Sequence, residues 1–143
     1  WPLVNNEVTV PYYFDERYRL DPEVREKFKI AINLYATQTC IKWVEVSPYD
    51  KRHKVRVFKG NGCHSNVGML KHMDNELSLG NGCEIIATML HEMAHCMGLF
   101  HTQSRPDRDE YIKVWWENIE PGKENNFEKS TGDLYGVPYD YKS

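Results

Sequence analysis

The chain has 143 residues, 41% of them hydrophobic and 13% aromatic, which is enough for one domain with a substantial core. Its formal net charge of −3 argues against nucleic acid or an anionic membrane as the main partner. Since the sequence has no apolar run of membrane-spanning length and no signal peptide, we expect a soluble mature segment.

The first expected element is a strand. Residues 8–10 and 12–14 are β-branched or aromatic, a composition typical of strands. Pro11 lies between them and cannot donate a hydrogen bond to a neighbouring strand. This strand is therefore expected at an edge of the sheet or at its point of entry.

A helix is expected to begin at Asp21 and Pro22, with aspartate as the N-cap and proline at the first helical position. Apolar residues then recur at helical spacing up to about Thr39, namely Val24, Phe28, Ala31, Ile32 and Tyr35. Such a stripe could form a groove for a partner, but packing against the core is the simpler interpretation, which we adopt.

Three more strands and a second helix complete the expected regular structure. Residues 41–46 and 55–58 alternate apolar and polar side chains, as half-buried strands do, and residues 63–69 form a shorter strand. The basic run at 51–54 is interpreted as a solvated loop rather than a site for an acidic partner. The second helix is expected over residues 84–97, with apolar side chains around its histidines.

That second helix carries two histidines, His91 and His95, at a spacing suited to metal binding. Side chains four residues apart lie one helical turn apart and about 40° apart around the axis, because each residue advances about 100°. Both imidazoles can therefore bind one ion. Glu92, directly after the first histidine, is expected to face the open side of that ion.

Gly98 and His101 extend this motif to H-E-x-x-H-x-x-G-x-x-H, the metzincin metalloprotease pattern. Glycine tolerates the positive φ at which a helix commonly ends, so the chain can turn and return His101 as a third nitrogen ligand. Three imidazoles and an open fourth position suit a catalytic zinc that holds a water, with Glu92 as its general base. The alternatives are a buried helix that happens to carry three histidines and a structural zinc site. For a structural site, Cys96 is expected on another side of the helix and not as a fourth ligand.

Residues 101–111, with the pattern H-x-x-x-R-x-D-R-D-x-Y, closely resemble the astacin family of secreted zinc endopeptidases. The resemblance extends to Trp1-Pro2, Val10-Pro11-Tyr12 and the segment from Cys63 to Cys83. One departure is Thr102, because astacins usually carry a glutamate there that receives the buried amino terminus of the activated enzyme.

The resemblance implies an α+β fold, a metzincin or zincin-like catalytic domain. Its upper lobe, expected over residues 1–98, would combine a twisted mixed sheet with two long helices. Its lower lobe, expected over residues 99–143, would be irregular and incomplete, because family members continue into a Met-turn that this sequence does not reach.

The resemblance further implies a zinc-dependent endopeptidase that hydrolyses extended protein or peptide substrates. One zinc per chain would be held by His91, His95 and His101, and Glu92 would take a proton from the zinc-activated water. The protein would be secreted and made as a zymogen with an inhibitory propeptide. Neither nucleic acid nor a membrane span is expected.

The segment His64-Ser65-Asn66-Val67-Gly68 corresponds to the astacin edge strand that binds substrate by main-chain hydrogen bonds. Astacins also join the cysteines that match Cys63 and Cys83. Cys40 is expected to be unpaired, since the usual carboxyl-terminal partner is missing from the sequence. Cys96 has no usual counterpart; we expect a small buried thiol, with a Cys40–Cys96 bond as the alternative.

Two other functions fit the same residues. A non-catalytic zinc-binding or peptide-binding module is compatible with Thr102 and with the missing Met-turn. A zinc enzyme that acts on something other than peptides is compatible with the histidine motif alone. Substitution of Glu92 separates the first from a protease, and a peptide-library digest separates the second.

Overall fold

The computed structural model describes residues 1–142. These residues form two compact units, the first over residues 1–99 and the second from residue 100 onward. In the first unit the strands are β1 (Leu3–Val4), β2 (Glu7–Phe14), β3 (Ile41–Glu45), β4 (Val55–Phe58), β5 (Cys63–Ser65) and β6 (Asn75–Leu79), and the helices are α1 (Pro22–Gln38) and α2 (Ile86–Cys96).

The six strands form one mixed sheet, as the α+β expectation requires. Its order is β1-β2-β4-β6-β5, and β3 pairs with β2. Strand β2 runs parallel to β3 and β4, and β4 runs parallel to β6, whereas β1 and β5 are antiparallel to their neighbours. Strand β5 therefore lies at the end of this order, with β6 on one side.

Pro11 shows how the sheet accommodates a residue without an amide proton. It lies in β2 and is in register with Val44 of β3. Pairing of β2 with β1 ends at Val8, and pairing with β4 begins at Tyr12, so Pro11 falls between them. The expectation of an edge position is thus met locally, within a strand that has neighbours on both sides elsewhere.

Helix α1 begins at Pro22 and ends at Gln38, close to the expected bounds. Val24, Phe28 and Ala31 are buried, so the apolar stripe packs on the core as interpreted. Asp21 occupies the N-cap position, but its side chain makes no cap hydrogen bond and instead accepts one from Lys59 Nζ at 2.9 Å. Capping and ion pairing compete for the same carboxylate, and here the ion pair is formed.

The core beneath α1 is largely aromatic. The rings of Tyr12, Phe14 and Trp43 each pack against that of Phe28 at centroid distances of 5.6–6.1 Å, with interplanar angles of 66–87°. Edge-to-face pairs of this kind add about 0.5–1.5 kcal/mol each beyond the burial of their area. Phe28 is fully buried, so the contacts join α1 firmly to β2 and β3.

Two local expectations were wrong, and one strand was not predicted. Strand β5 ends at Ser65 rather than continuing to residue 69, because Gly68 adopts a φ of +71° that no extended strand allows. Strand β6 was not foreseen, since its five residues include only two apolar ones, Leu77 and Leu79, and its buried polar residues Asn75 and Ser78 give no sequence signal for a strand. Helix α2 starts at Ile86, two residues later than expected, and Ile85 is largely exposed.

The basic run at 51–54 is also not a fully solvated loop. Lys54 is buried and its Nζ lies 2.9 Å from an oxygen of Asp74, while it donates to the Asp50 carbonyl at 2.8 Å. Arg52, in contrast, is exposed and pairs with Asp50. The buried ammonium is tolerated because both a carboxylate and a carbonyl satisfy it.

The second unit consists of short 3₁₀ turns, namely Thr102–Ser104, Arg108–Glu110, Trp116–Asn118 and Glu124–Phe127. Arg108 is its buried charge: the guanidinium donates to the carbonyls of Gln103 and Phe127 and to the carboxylate of Asp109. These contacts hold together segments with little regular structure of their own. Among residues 1–142, neither α-helix is long and apolar enough to cross a membrane.

Candidate metal centre

The candidate metal centre lies on α2 and the turn that follows it. Met89, Met93 and Cys96 are fully buried and attach the helix to the core. His95 and Glu92 are also buried, while His91 keeps an exposed edge. The helix therefore presents its histidines from a rigid base, with one of them open to solvent.

His91 and His95 converge as their spacing predicted. The Nε2 atoms of the two imidazoles lie 3.0 Å apart, and the ring planes are nearly perpendicular at 84°. Two nitrogens bound to one zinc ion at about 2.0–2.1 Å would lie at a similar separation. These two side chains are thus already close to the arrangement that one ion requires.

The other ring nitrogen of His95 orients the imidazole. Nδ1 lies 2.7 Å from the carbonyl oxygen of Leu99, to which it can only donate. The proton is therefore on Nδ1, and Nε2 keeps a lone pair for a metal. Leu99 reaches this position because Gly98 has a φ of +100° and reverses the chain directly after the helix.

His101 completes the cluster within this contiguous segment of eleven residues. One ligand nitrogen from each of His91, His95 and His101 lies within 4.8 Å of the others. Nitrogens about 2.0–2.1 Å from a common ion lie about 3.4 Å apart at tetrahedral angles, so an inward movement of about 1 Å would bring all three to one ion. Three imidazole nitrogens therefore fit a zinc ion, in agreement with the sequence motif.

Partial burial of the His91 ring and the neighbouring His95 both lower the pKa of His91 below its usual value, with partial burial the larger cause although one edge of the ring is exposed. The neutral imidazole is the form that binds metal. The surroundings of this ligand thus favour the protonation state that coordination needs.

The residues expected to bind substrate lie in two different conformations. His64 and Ser65 are in β5, whereas Asn66, Val67 and Gly68 form the loop that follows it. His64 is exposed beside the ring of Phe58, which agrees with a surface histidine rather than a ligand. Among the strands described, β5 pairs with β6 alone, so its other edge is available to an extended peptide.

The expected disulfide is present. Cys63 and Cys83 are bonded, with their Cα atoms 5.7 Å apart, and the bond joins β5 to the loop before α2. Within the described residues Cys40 is an exposed free thiol and Cys96 is a buried one, so the alternative Cys40–Cys96 bond is not formed. Burial raises the pKa of the Cys96 thiol to about 11, which keeps it protonated at neutral pH.

The sequence did not predict how the loop after β5 is held. Asn75 is fully buried; its amide nitrogen donates to the Gly68 carbonyl at 2.7 Å, and its oxygen accepts from the Leu70 amide at 3.0 Å. At the end of α2, the Trp1 indole donates to the Cys96 carbonyl at 2.7 Å. The Trp1 contact has no local sequence signal, because it joins residues 95 positions apart in the chain.

Comparison with known proteins identifies the family. The family model described as Astacin, a family of peptidases, matches residues 3–143 of the chain. The chain belongs to the astacin family.

Two curated proteins are similar in sequence to almost the whole chain. Zinc metalloproteinase nas-31 of Caenorhabditis elegans is 42% identical over 138 residues, which cover 94% of the chain and 22% of that protein. Meprin A subunit beta of Mus musculus is 40% identical over 139 residues, covering 94% of the chain and 19% of that protein. The chain thus spans about a fifth of the length of these curated relatives.

The astacin fold is also found in solved structures. High choriolytic enzyme 1, a hatching enzyme zinc-protease from Oryzias latipes, superposes with a TM-score of 0.88 at 31% identity. The match covers 99% of this chain and 69% of that one. The α+β zincin-like fold expected from the sequence is therefore confirmed.

Proposed function

We propose that this chain is the zinc-binding part of an astacin-like endopeptidase that hydrolyses extended protein or peptide substrates. The observation that carries the proposal is the convergence of three histidine nitrogens within 4.8 Å of one another, next to a buried glutamate on the same helix. Membership of a peptidase family and similarity to proteins named as zinc proteinases support it.

His91, His95 and His101 would hold one zinc per chain. Zinc bound there would polarise the scissile carbonyl and lower the pKa of a water toward about 7. The chain's contribution is the orientation of the ligands, which the Leu99 carbonyl provides for His95.

Glu92 is proposed as the general base. It accepts a proton from the attacking water and delivers that proton to the leaving amine. Its place on α2, directly after His91, would keep the carboxylate beside the ligands. Burial of this side chain removes competing water and makes its electrostatic effect on the reaction larger.

The substrate is proposed to add to the open edge of β5 as a further strand. His64 and Ser65 would provide main-chain hydrogen bonds, and Asn66, Val67 and Gly68 would continue the contact beyond the strand. Since β5 pairs with β6 in antiparallel register, its free edge presents amide and carbonyl groups at regular spacing.

We also propose how the domain is divided and how the protein is made and secreted. We propose a catalytic domain of two lobes, residues 1–98 and 99–143, secreted and made as a proenzyme with an inhibitory propeptide. The Cys63–Cys83 disulfide supports an oxidising compartment. Edman sequencing of material secreted from a eukaryotic host expressing the full-length precursor would reveal whether a segment is removed.

The experiment that tests the mechanism is Glu92→Gln in the longest natural protein that contains this chain. We expect zinc content to stay unchanged and kcat on a quenched-fluorescent peptide library to fall about 10²–10⁴-fold, as for loss of a general base. Glu84→Gln is the matched control, since Glu84 lies just before α2 and outside the histidine cluster. Full activity after Glu92→Gln would refute the proposed mechanism, and intact peptide binding without any cleavage by the unmodified protein would favour a binding module.

A further inference from the structure

The last residue of α2, Cys96, contacts the strand proposed to bind substrate. Its Sγ lies 2.8 Å from the Oγ of Ser65 in β5. The Ser65 hydroxyl donates its single proton to the Asn66 carbonyl at 3.2 Å, so the thiol of Cys96 is the donor to Ser65. Both side chains are therefore used in one short chain of hydrogen bonds.

A second contact connects the same two elements. The amide of Gly68 donates to the carbonyl of His95 at 2.8 Å, and this carbonyl also accepts from the amide of Gly98. A Cβ atom added to Gly68 would lie 3.8 Å from the Cα of Gly98, so the two backbones are close to contact. The loop after β5 thus lies directly against the end of the metal-binding helix.

These contacts leave little freedom for residues 63–68. At the start of the segment the disulfide joins Cys63 to Cys83. At its middle, the Ser65 hydroxyl forms a hydrogen bond with the Cys96 thiol. At its end, the Gly68 amide donates a hydrogen bond to the His95 carbonyl. Of these three attachments, the one through Cys96 is the only side-chain hydrogen bond to α2 among the contacts described for residues 63–68.

The position of this strand relative to α2 would determine where a bound peptide meets the metal ligands. A peptide that pairs with β5 takes its register and height from the strand. A displacement of the strand would weaken the main-chain hydrogen bonds that hold an extended peptide on it, so the peptide would bind less tightly beside His91 and His95.

On the basis of the proposed function, we propose that Cys96 is a positioning residue: its thiol holds β5 at the correct distance from α2 for productive binding of an extended peptide. Cys96 is fully buried, so it meets neither substrate nor solvent. It acts through Ser65, and no bond is made or broken at sulfur during the reaction.

The test compares four variants of the longest natural protein that contains the chain. Cys96→Ala removes the donor, Ser65→Ala removes the acceptor, and the double variant removes both. Cys96→Ser keeps a hydroxyl donor at the same place. Cys40→Ala is the matched control, because Cys40 is the other free cysteine in the described chain and is exposed.

Kinetics on the best-cleaved quenched-fluorescent decapeptide provide the first measurement. Cys96→Ala should raise KM about three- to tenfold, the ratio that corresponds to an ordinary net hydrogen bond, with kcat within about twofold and zinc content unchanged. Ser65→Ala and the double variant should show the same rise in KM as Cys96→Ala, whereas Cys96→Ser should have a KM close to that of the unmodified protein. A KM unchanged in Cys96→Ala, a fall in kcat as large as the rise in KM, or loss of zinc would each overturn the proposal.

Amide hydrogen exchange of residues 63–68 is the second measurement and does not depend on activity. We expect exchange to be faster in Cys96→Ala and in Ser65→Ala than in the unmodified protein. The double variant should exchange at the same rate as the single variants, and Cys40→Ala at the rate of the unmodified protein. If Cys96→Ala does not fold, Ser65→Ala is judged by the same criteria. A protein that cleaves no peptide would refute the proposed function, whereas unchanged exchange in both single variants would refute the role of Cys96.

Discussion

At the scale of single residues, His95 makes structural contacts through both its imidazole and its backbone carbonyl. Its Nδ1 is oriented by the Leu99 carbonyl, and its own carbonyl accepts from the amides of Gly68 and Gly98. The residue is thus attached to the turn after the helix and to the loop after β5. As the proposed ligand, an imidazole held this firmly would lose little entropy on binding metal.

We predict that His95→Ala abolishes stoichiometric zinc binding, while His64→Ala leaves it intact. His95 contributes one of three converging nitrogens, whereas His64 is an exposed residue of β5. Atomic emission on protein purified without chelator measures the zinc content. An equal loss of zinc in both variants would contradict the assigned ligand set.

Asp15 is the most completely paired carboxylate described in the first unit. It is 4% exposed and accepts from the backbone and guanidinium of Arg17 and from Nε of Arg56 at 2.7–3.1 Å. The hydrogen bonds from Arg17, followed by those from its backbone and from Arg56, hold the pKa of Asp15 below its usual value despite burial. The ionised form is therefore favoured more in the folded than in the unfolded protein.

Asp15→Asn should consequently reduce the free energy of unfolding by about 2 kcal/mol at pH 7. Because the folded pKa lies below the unfolded one, the contribution of Asp15 is present above about pH 4 and is lost as the pH falls toward the folded pKa. Urea unfolding of zinc-free protein at pH 7 and at about pH 3 measures both effects.

Glu26→Gln is the control for that experiment, since Glu26 forms an exposed pair with Lys29. Exposed pairs contribute about 0–1 kcal/mol, so little change is expected at either pH. A difference between Asp15→Asn and the unmodified protein that grows at low pH would contradict the sign of the assigned shift.

At the scale of elements, β5 depends on covalent attachment more than on length. It has three residues, two of them exposed, and pairs only with β6 among the strands described. Such a strand gains little from burial, and edge strands are prone to fray. The Cys63–Cys83 bond compensates by tying its first residue to the loop that leads into α2.

Replacement of both bonded cysteines by serine should lower the free energy of unfolding by about 3 kcal/mol, the value of the chain-entropy model for a loop of about 20 residues. Cys40→Ser, at an exposed free cysteine, should leave it unchanged. Urea unfolding under non-reducing conditions compares the three proteins. If the double serine variant were as stable as the unmodified protein, the bond would have no stabilising role.

At the scale of the whole molecule, the proposed zinc site would link metal binding to folding. The three ligand nitrogens are close together only when α2 and the turn after it are formed, so an unfolded chain cannot offer them as a site. Zinc that binds the folded protein but not the unfolded chain must therefore stabilise the folded state.

Removal of zinc by a chelator should accordingly lower the Tm by about 5 °C or more, which corresponds to about 2 kcal/mol for a domain of this size. Addition of stoichiometric zinc should restore it. Differential scanning calorimetry of His95→Ala provides the control, because its Tm should respond to neither treatment. A Tm of the unmodified protein that is indifferent to the chelator would contradict the coupling.

The sequence by itself determined the features that depend on local spacing. The positions of His91 and His95 follow from the helical period, and Gly98 marks the turn because few other residues tolerate its φ of +100°. The bounds of α1 followed from Pro22 and the apolar repeat. The disulfide was expected only from resemblance to astacins, since four cysteines permit three pairings.

Only the tertiary structure decided features whose partners are distant in sequence. Strand β6 lies between β4 and β5, neighbours that its own five residues do not indicate, and β5 stops where the loop turns toward His95. Lys54 is buried because Asp74 lies beside it, and Cys96 meets Ser65 across 31 positions of the chain. The spacing of apolar residues in a sequence shows which face of a helix or strand is apolar. It does not show which other element that face packs against, and the contacts named here depend on that pairing.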